Sequence, residues 1–186
     1  MHGWEMIFFI LTAFWIGEFI FKRGKEQMER TTMERRSFRL IFLMTSMAIL
    51  FTVILSTFNM FRMEESHLTR SIGILIYGGG ILLRYWGIKE LGQFFSRDVI
   101  VEEELELVSS GPYRKLRHPL YTGLLLIMIG FPIYMGVWMG VIVSALFIIP
   151  VLLYRIRIEE EMMSKSIGVK YEEWGKSRNR LIPYIY

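Results

Sequence analysis

At 186 residues, 53% hydrophobic and with a mean hydropathy of +0.36, the chain is too apolar for an ordinary soluble domain and suits a single compact membrane domain. It has no cysteine, which excludes disulfides, thiolate catalysis and cysteine-ligated metals, and its three scattered histidines argue against a metal site. The net charge of +4 is unevenly spread along the chain and reads as membrane topology, not as nucleic-acid binding.

Trp4 to Phe21 is the first apolar run, with Glu5 near one end and Glu18 near the other. Its basic residues follow it and no small-residue cleavage site is present, so it reads as an uncleaved span, not a signal peptide. Lys22 to Arg39 is a polar loop, and Leu40 to Phe61 is a second, uncharged span. After a short mixed loop, Arg62 to Arg70, a third span runs from Ser71 to Ile88. It carries Gly73, Gly78, Gly79, Gly80 and Gly87, the small residues that let helices approach closely in lipid. Arg84 lies inside this span, where an ionisable side chain must snorkel or pair.

Lys89 to His118 is the longest polar segment; its stretch Val99 to Val108 mixes apolar residues with Glu102, Glu103, Glu104 and Glu106 and fits strand, helix or loop equally. Pro119 to Tyr134 and Val137 to Tyr154 then form two short spans with almost no loop, a tight helical hairpin in which Gly136 and Gly140 have GxxxG spacing. From Arg155 the chain is polar again. Ile158, Met162, Ile167 and Tyr171 mark an apolar face, which predicts a helix continuing the fifth span onto the membrane surface.

The expected fold is therefore all-α and integral to the membrane, with about five transmembrane helices, a hairpin of spans 4 and 5, and a cytoplasmic C-terminal amphipathic helix. Residues 1–186 form one membrane domain, with a helix pair over 1–61 and a core over 71–186. The first loop, the third loop and the tail hold seven, five and seven Lys or Arg, whereas the opposite side holds Arg62 and Arg70. The positive-inside rule then places the N-terminus outside and the C-terminus in the cytoplasm.

The most informative stretch is Ser109 to Gly123, S-S-G-P-Y-R-K-L-R-H-P-L-Y-T-G. Gly111 and Pro112 make a turn, Arg114, Lys115 and Arg117 are cations, and Pro119 suits the first turn of a helix, where its missing amide hydrogen costs nothing. A helix start among cations attracts anions. Flanking positive charge alone would explain the three cations, but not His118, Tyr113 or Tyr121. The charge partition puts this turn on the same side as Arg155, Arg157, Glu159 and Glu160. Arg and His suit a carboxylate or phosphate, and Glu suits ribose hydroxyls or a cation. S-adenosylmethionine offers a carboxylate, a ribose and a positive centre, and a nucleotide phosphate would suit the cations as well. Among those cations His118 is expected to be a neutral imidazole.

G-P-Y-R-K-L-R-H-P-L-Y-T-G (Gly111 to Gly123) resembles the signature of the isoprenylcysteine carboxyl methyltransferase family and its phospholipid N-methyltransferase relatives. Leu83-Arg84-Tyr85-Trp86-Gly87 with Leu91-Gly92 looks like the segment before that motif, and Tyr154 to Glu160 looks like the paired-glutamate motif after the hairpin. Gly168, Tyr171 and Arg180-Leu181-Ile182-Pro183 match the C-terminal pattern, so the resemblance covers about Ile81 to Tyr186. The first two spans carry no matching motif. Ser166-Ile167 replaces the usual aromatic before the glycine and Trp174 stands where tyrosine is common, changes expected to alter packing more than chemistry.

The resemblance implies a membrane methyltransferase that uses S-adenosylmethionine on a lipophilic acceptor arriving from the bilayer, with no metal and no nucleic-acid partner. Carried over by position, Gly111, Tyr113, His118, Pro119, Tyr121 and Glu159 would line the cofactor pocket. Arg117, Arg155, Glu159 and Glu160 would stand near the reacting groups. The tail Tyr171 to Trp174 and the ending Leu181 to Tyr186 also resemble the C-terminus of membrane sterol reductases, which share the histidine-proline motif but use NADPH and are much longer. A membrane protein that keeps the pocket without catalysis is the third reading.

Overall fold

The computed structural model describes residues 3–21, 32–63, 66–92 and 107–182, and among these it is helical with no strand. The helices are α1 (Gly3–Phe21), α2 (Thr32–Thr57), α3 (His67–Leu91), α4 (Pro119–Tyr134), α5 (Trp138–Ile167) and α6 (Val169–Lys176). Arg35–Thr57, His67–Leu91 and Trp138–Ile167 are long and apolar enough to cross a membrane by length and composition, and Pro119–Tyr134 is a shorter apolar helix. The acidic stretch Val99 to Val108 lies outside the described residues as far as position 106.

The helix boundaries differ from the sequence expectation in instructive ways. α2 begins at Thr32, eight residues before Leu40, so Arg35, Arg36 and Arg39, assigned to a loop, ride on its first turns. It stops at Thr57 because Asn59 and Phe61 take positive φ values of 53°, a conformation that ends a helix. α3 extends beyond Ser71 and Ile88 at both ends, capped at its start by Ser66, whose Oγ accepts from the Thr69 amide at 3.1 Å. α5 runs unbroken through the charged stretch to Ile167. Gly168, at φ 50°, then ends it and starts α6, so the expected single surface continuation is two helices meeting at a glycine.

The glycines fix the packing of α3 on α4. A Cβ at Gly80 would lie 2.6 Å from the Gly123 carbonyl oxygen, and one at Gly130 would lie 2.8 Å from Tyr77 Cα. Backbones this close exclude any side chain, which is the close-approach role of small residues in lipid. α3 stays helical through its three consecutive glycines. The GxxxG reading of the hairpin divides into two separate roles. Gly136, at φ +69°, makes the turn, whereas Gly140 packs against Thr52 of α2 and Pro132 of α4.

Two ends can be told apart. At one end the 58–63 segment meets the α4–α5 turn: the Met63 amide donates to Gly136 O (2.8 Å), the Trp138 amide to Phe61 O (3.1 Å), and the Phe61 and Trp138 rings meet edge-on. At the other end the C-termini of α1 and α3, the N-termini of α2 and α4, and the polar part of α5 converge. The apolar core between them includes Leu125, Met128, Ile148, Leu152 and Ile156.

Candidate active site

The converging end is built from the turn before α4, the polar face of α5 and the tail after α6. The turn is seated first. Gly111, at φ +53°, leaves no room for a Cβ, which would fall 2.7 Å from Glu90 Cδ and 2.8 Å from Trp86 Nε1. Pro112 and Tyr113 are buried in a 3₁₀ turn over Gly111–Arg114. The tail then pairs alongside: the Asn179 amide donates to Lys115 O (2.9 Å), and the Arg117 and His118 amides donate to Asn179 O and Arg180 O (2.8 and 3.2 Å). Thr122 Oγ1 closes the contact on Leu181 O.

His118 is the N-cap of α4 and Pro119 its first residue, as the sequence requires. One helical turn on, Tyr121 stacks on the imidazole with ring centroids 5.8 Å apart. α5 supplies the counterpart. Arg155, Glu159 and Glu160 project towards the turn, since positions four apart share a helix face. Arg155 Nε donates to Glu159 Oε1 (2.8 Å) and to the Tyr121 hydroxyl (3.3 Å), while that hydroxyl donates to Glu159. Arg155 NH1 donates to Ser37 Oγ of α2 at 2.9 Å. Glu160 Oε1 accepts from Arg117 (2.9 Å) and Oε2 from Arg180 (2.8 Å). Arg117 also donates to the carbonyls of Gly175 and Arg178, its guanidinium lying where a Cβ on Gly175 would need to be.

His118 closes the cluster, its Nδ1 3.5 Å from Glu159 Oε2 and its Nε2 3.6 Å from Glu160 Oε1. Nε2 is buried and makes no hydrogen bond among the described residues. Burial alone would lower the imidazole pKa, but the carboxylates of Glu159 and Glu160 close to its two nitrogens outweigh it, and the net shift is upward. The direction is opposite to the downward shift that the chain-neighbouring cations led one to expect. The neighbours that decide the shift are two carboxylates from α5, not the cations adjacent in the chain.

Arg117, His118, Tyr121, Arg155, Glu159 and Glu160 are thus brought together. Arg114 and Arg157 are not; both point to solvent, as does Lys115. Gly111 and Pro119 form its frame, Pro119 facing Gly87 of α3. Tyr113 is buried, and burial and the charge of Glu159 push its hydroxyl pKa up. The alternative of a solvated glutamate face holds for Glu161, which pairs with Lys165 at the surface, but not for Glu159 and Glu160, which are 17% and 13% exposed. Among the described residues, no cluster of three or more metal-ligating side chains is present.

Three participants were not assigned from sequence. Arg180 pairs with Glu160, and its place in the C-terminal pattern was the available signal. Tyr171 is buried beside Glu160 and Arg117, whose charges act on its hydroxyl. Ser37 had no signal. Trp174 acts through packing: it stacks on Tyr171, lies under the Arg178 guanidinium at 4.6 Å, and donates to Ser109 Oγ and Val108 O (3.0 and 3.2 Å).

Arg84 has also found its partner. It is paired with Glu18 of α1, with Nε donating to Oε2 at 2.8 Å and NH2 to Oε1, and its NH1 donates to Leu120 O of α4 at 3.0 Å.

The family model described as phospholipid methyltransferase matches residues 68–170, more than half of the chain. The chain is 27% identical over 84 residues to the Bacillus subtilis protein YpbQ, covering 45% of this chain and 50% of that one. It is 26% identical over 117 residues to protein-S-isoprenylcysteine O-methyltransferase A of Arabidopsis thaliana, covering 62% of this chain and 59% of that one. The structure of a eukaryotic intramembrane Ras methyltransferase, isoprenylcysteine carboxyl methyltransferase, superposes with a TM-score of 0.60 at 23% identity, over 85% of this chain and 55% of that one. That likeness is one of fold. The chain spans between half and three fifths of the length of each of these relatives.

Proposed function

The chain belongs to the phospholipid methyltransferase family, with isoprenylcysteine methyltransferases among its relatives, and we propose that it is an S-adenosylmethionine-dependent membrane methyltransferase that methylates an anionic oxygen of a lipophilic acceptor. It would cross the membrane five times, N-terminus outside, with the cluster at the cytoplasmic boundary. The single observation that carries the reading is the cluster of Arg117, His118, Tyr121, Arg155, Glu159, Glu160 and Arg180 at the polar end of apolar helices.

The residues present fit the cofactor. His118 Nε2 is a buried polar atom without a hydrogen bond among the described residues, its approach to Glu160 Oε1 staying at 3.6 Å, which leaves hydrogen-bonding capacity for a ligand. Three guanidiniums and the His118 imidazole face two carboxylates, a positive surplus suited to a carboxylate-bearing ligand. S-adenosylmethionine supplies a methyl group already activated by its sulfonium, so the protein's tasks are alignment and exclusion of water. His118, Tyr121 and Glu159 would bind it, with Tyr113, Gly111 and Pro119 shaping the pocket. Arg117, Arg155, Glu159 and Glu160 would border the reacting groups.

The same charges favour an acceptor that arrives ionised. Both Glu160 oxygens are engaged by arginines, Glu159 is engaged by Arg155 and Tyr121, and His118 is disposed to keep its proton. No group in the cluster is poised as a general base, and an amine would also be repelled. A carboxylate needs no deprotonation.

The test offers purified protein labelled S-adenosylmethionine or NADPH in detergent, then a prenylated carboxylate. S-adenosylmethionine is expected to bind and to yield a lipophilic product whose label alkali releases as methanol, as from a methyl ester. NADPH binding alone would point to a reductase and refute the proposal. Binding of neither would favour a pocket without catalysis. Alkali-stable label would refute the carboxylate acceptor alone.

A further inference from the structure

Ser37 is completely buried on α2, between exposed Arg36 and half-buried Phe38, at a position where a polar side chain must find a partner. Its Oγ accepts from NH1 of Arg155, itself only 3% exposed, 118 positions away. Arg155 reaches Glu159 and Tyr121 through Nε. A guanidinium is planar, so contacts at Nε and at NH1 fix its orientation as one contact cannot. α2 lies wholly outside residues 68–170, where the family match falls.

We infer that Ser37 is a positioning residue: α2 sets the plane of the Arg155 guanidinium and, through it, the placement of Glu159 and Tyr121 beside His118. The inference rests on the methyltransferase reading only for its kinetic consequence. Ser37→Ala nearly preserves volume, so folding should survive, and Ser37→Thr restores a hydroxyl.

Two measurements decide it. Without any ligand, the Arg155 Nε–H resonance, assigned by its loss in Arg155→Lys, should exchange with solvent about tenfold faster in Ser37→Ala and return towards wild type in Ser37→Thr, as expected for losing one hydrogen bond to a charged group. In the methyl-transfer assay, Ser37→Ala should lower by roughly tenfold the same parameter, kcat or acceptor KM, that Arg155→Lys alters. It should add little in the double variant, because the two act as a unit. Unchanged exchange in Ser37→Ala overturns the inference whatever the activity. So does a full independent effect of Ser37→Ala on top of Arg155→Lys. Absence of methyl transfer by the wild type sinks the functional reading alone, and the exchange measurement still decides on Ser37.

Discussion

Removing Glu18 tests the most deeply buried ion pair among the described residues. Its side chain is 2% exposed and that of Arg84 11%, and both carboxylate oxygens are bonded to the guanidinium. Glu18→Ala leaves Arg84 with the Leu120 carbonyl as its one hydrogen-bond partner among the described residues. Two charge-assisted hydrogen bonds at ~1.5–3 kcal/mol each give roughly 3–6 kcal/mol. Breaking one side of a buried pair is independently expected to cost about 3–5 kcal/mol, chiefly through the uncompensated charge left behind. The two estimates agree, so ~4 kcal/mol is the working value. Replacing the pair by apolar residues of similar volume, Glu18→Leu with Arg84→Met, removes both charges and should recover most of that loss. Reversible unfolding in mixed micelles, by denaturing detergent titration, measures both variants. A Glu18→Ala protein within about 1 kcal/mol of wild type would refute the reasoning. So would a double variant as unstable as the single one, because the damage would then not arise from an orphaned charge.

The raised pKa of His118 predicts a stability trend with pH. A group whose folded pKa exceeds its unfolded value, about 6.5 for His, contributes stability that is complete below that value and is lost as pH rises through the folded pKa. Wild type should therefore lose its advantage over His118→Gln as pH climbs from roughly 6.5 into the alkaline range, read as the difference in thermal midpoint; a difference that is flat or grows with pH would overturn the assignment. Glycine packing gives a paired test. A methyl at Gly130 overlaps the Tyr77 backbone and should cost about 1–3 kcal/mol, whereas Gly79 has nothing within 4 Å of its would-be Cβ, so Gly79→Ala should be neutral or stabilising. Equal effects on thermal midpoint would contradict the α3–α4 packing.

Local signals in the sequence were read well, and the charge partition put the His118 turn on the side of Arg155, Glu159 and Glu160, but which of these groups pair was not read. Pro119 announced a helix start, the near absence of a loop around Gly136 a tight hairpin, and the apolar face from Ile158 a helix continuing the fifth span, because each is settled by residues a few positions apart. His118 was misjudged for the complementary reason. Its chain neighbours are cations, but Arg114 and Lys115 turn to solvent and Arg117 turns to Glu160 and the Gly175 carbonyl. The groups that face the ring come from α5, and nothing in the sequence near His118 indicates them. Gly140 shows a similar limit: spacing suggested a helix-pair motif, whereas its close contacts are Thr52 and Pro132 on two different helices.

The N-terminal helices gain their meaning from the same physics. Residues 68–170 contain Arg84 and Arg155, two arginines buried near the polar end of apolar helices, and such groups persist only when paired. α3, α4 and α5 do not supply all of the pairing. Glu18 of α1 neutralises Arg84, and Ser37 of α2 holds Arg155. Arg84 in turn donates to the carbonyl of Leu120, between His118 and the hairpin, and Arg155 reaches Tyr121 and Glu159. Two helices without a recognisable motif therefore each contribute one buried polar side chain that fixes an arginine bonded to the start of α4. A motif records the residues that touch the chemistry. The residues that hold those in place need only the right hydrogen-bonding group at the right depth, a requirement that serine or glutamate on an otherwise apolar helix meets without leaving a pattern in the sequence.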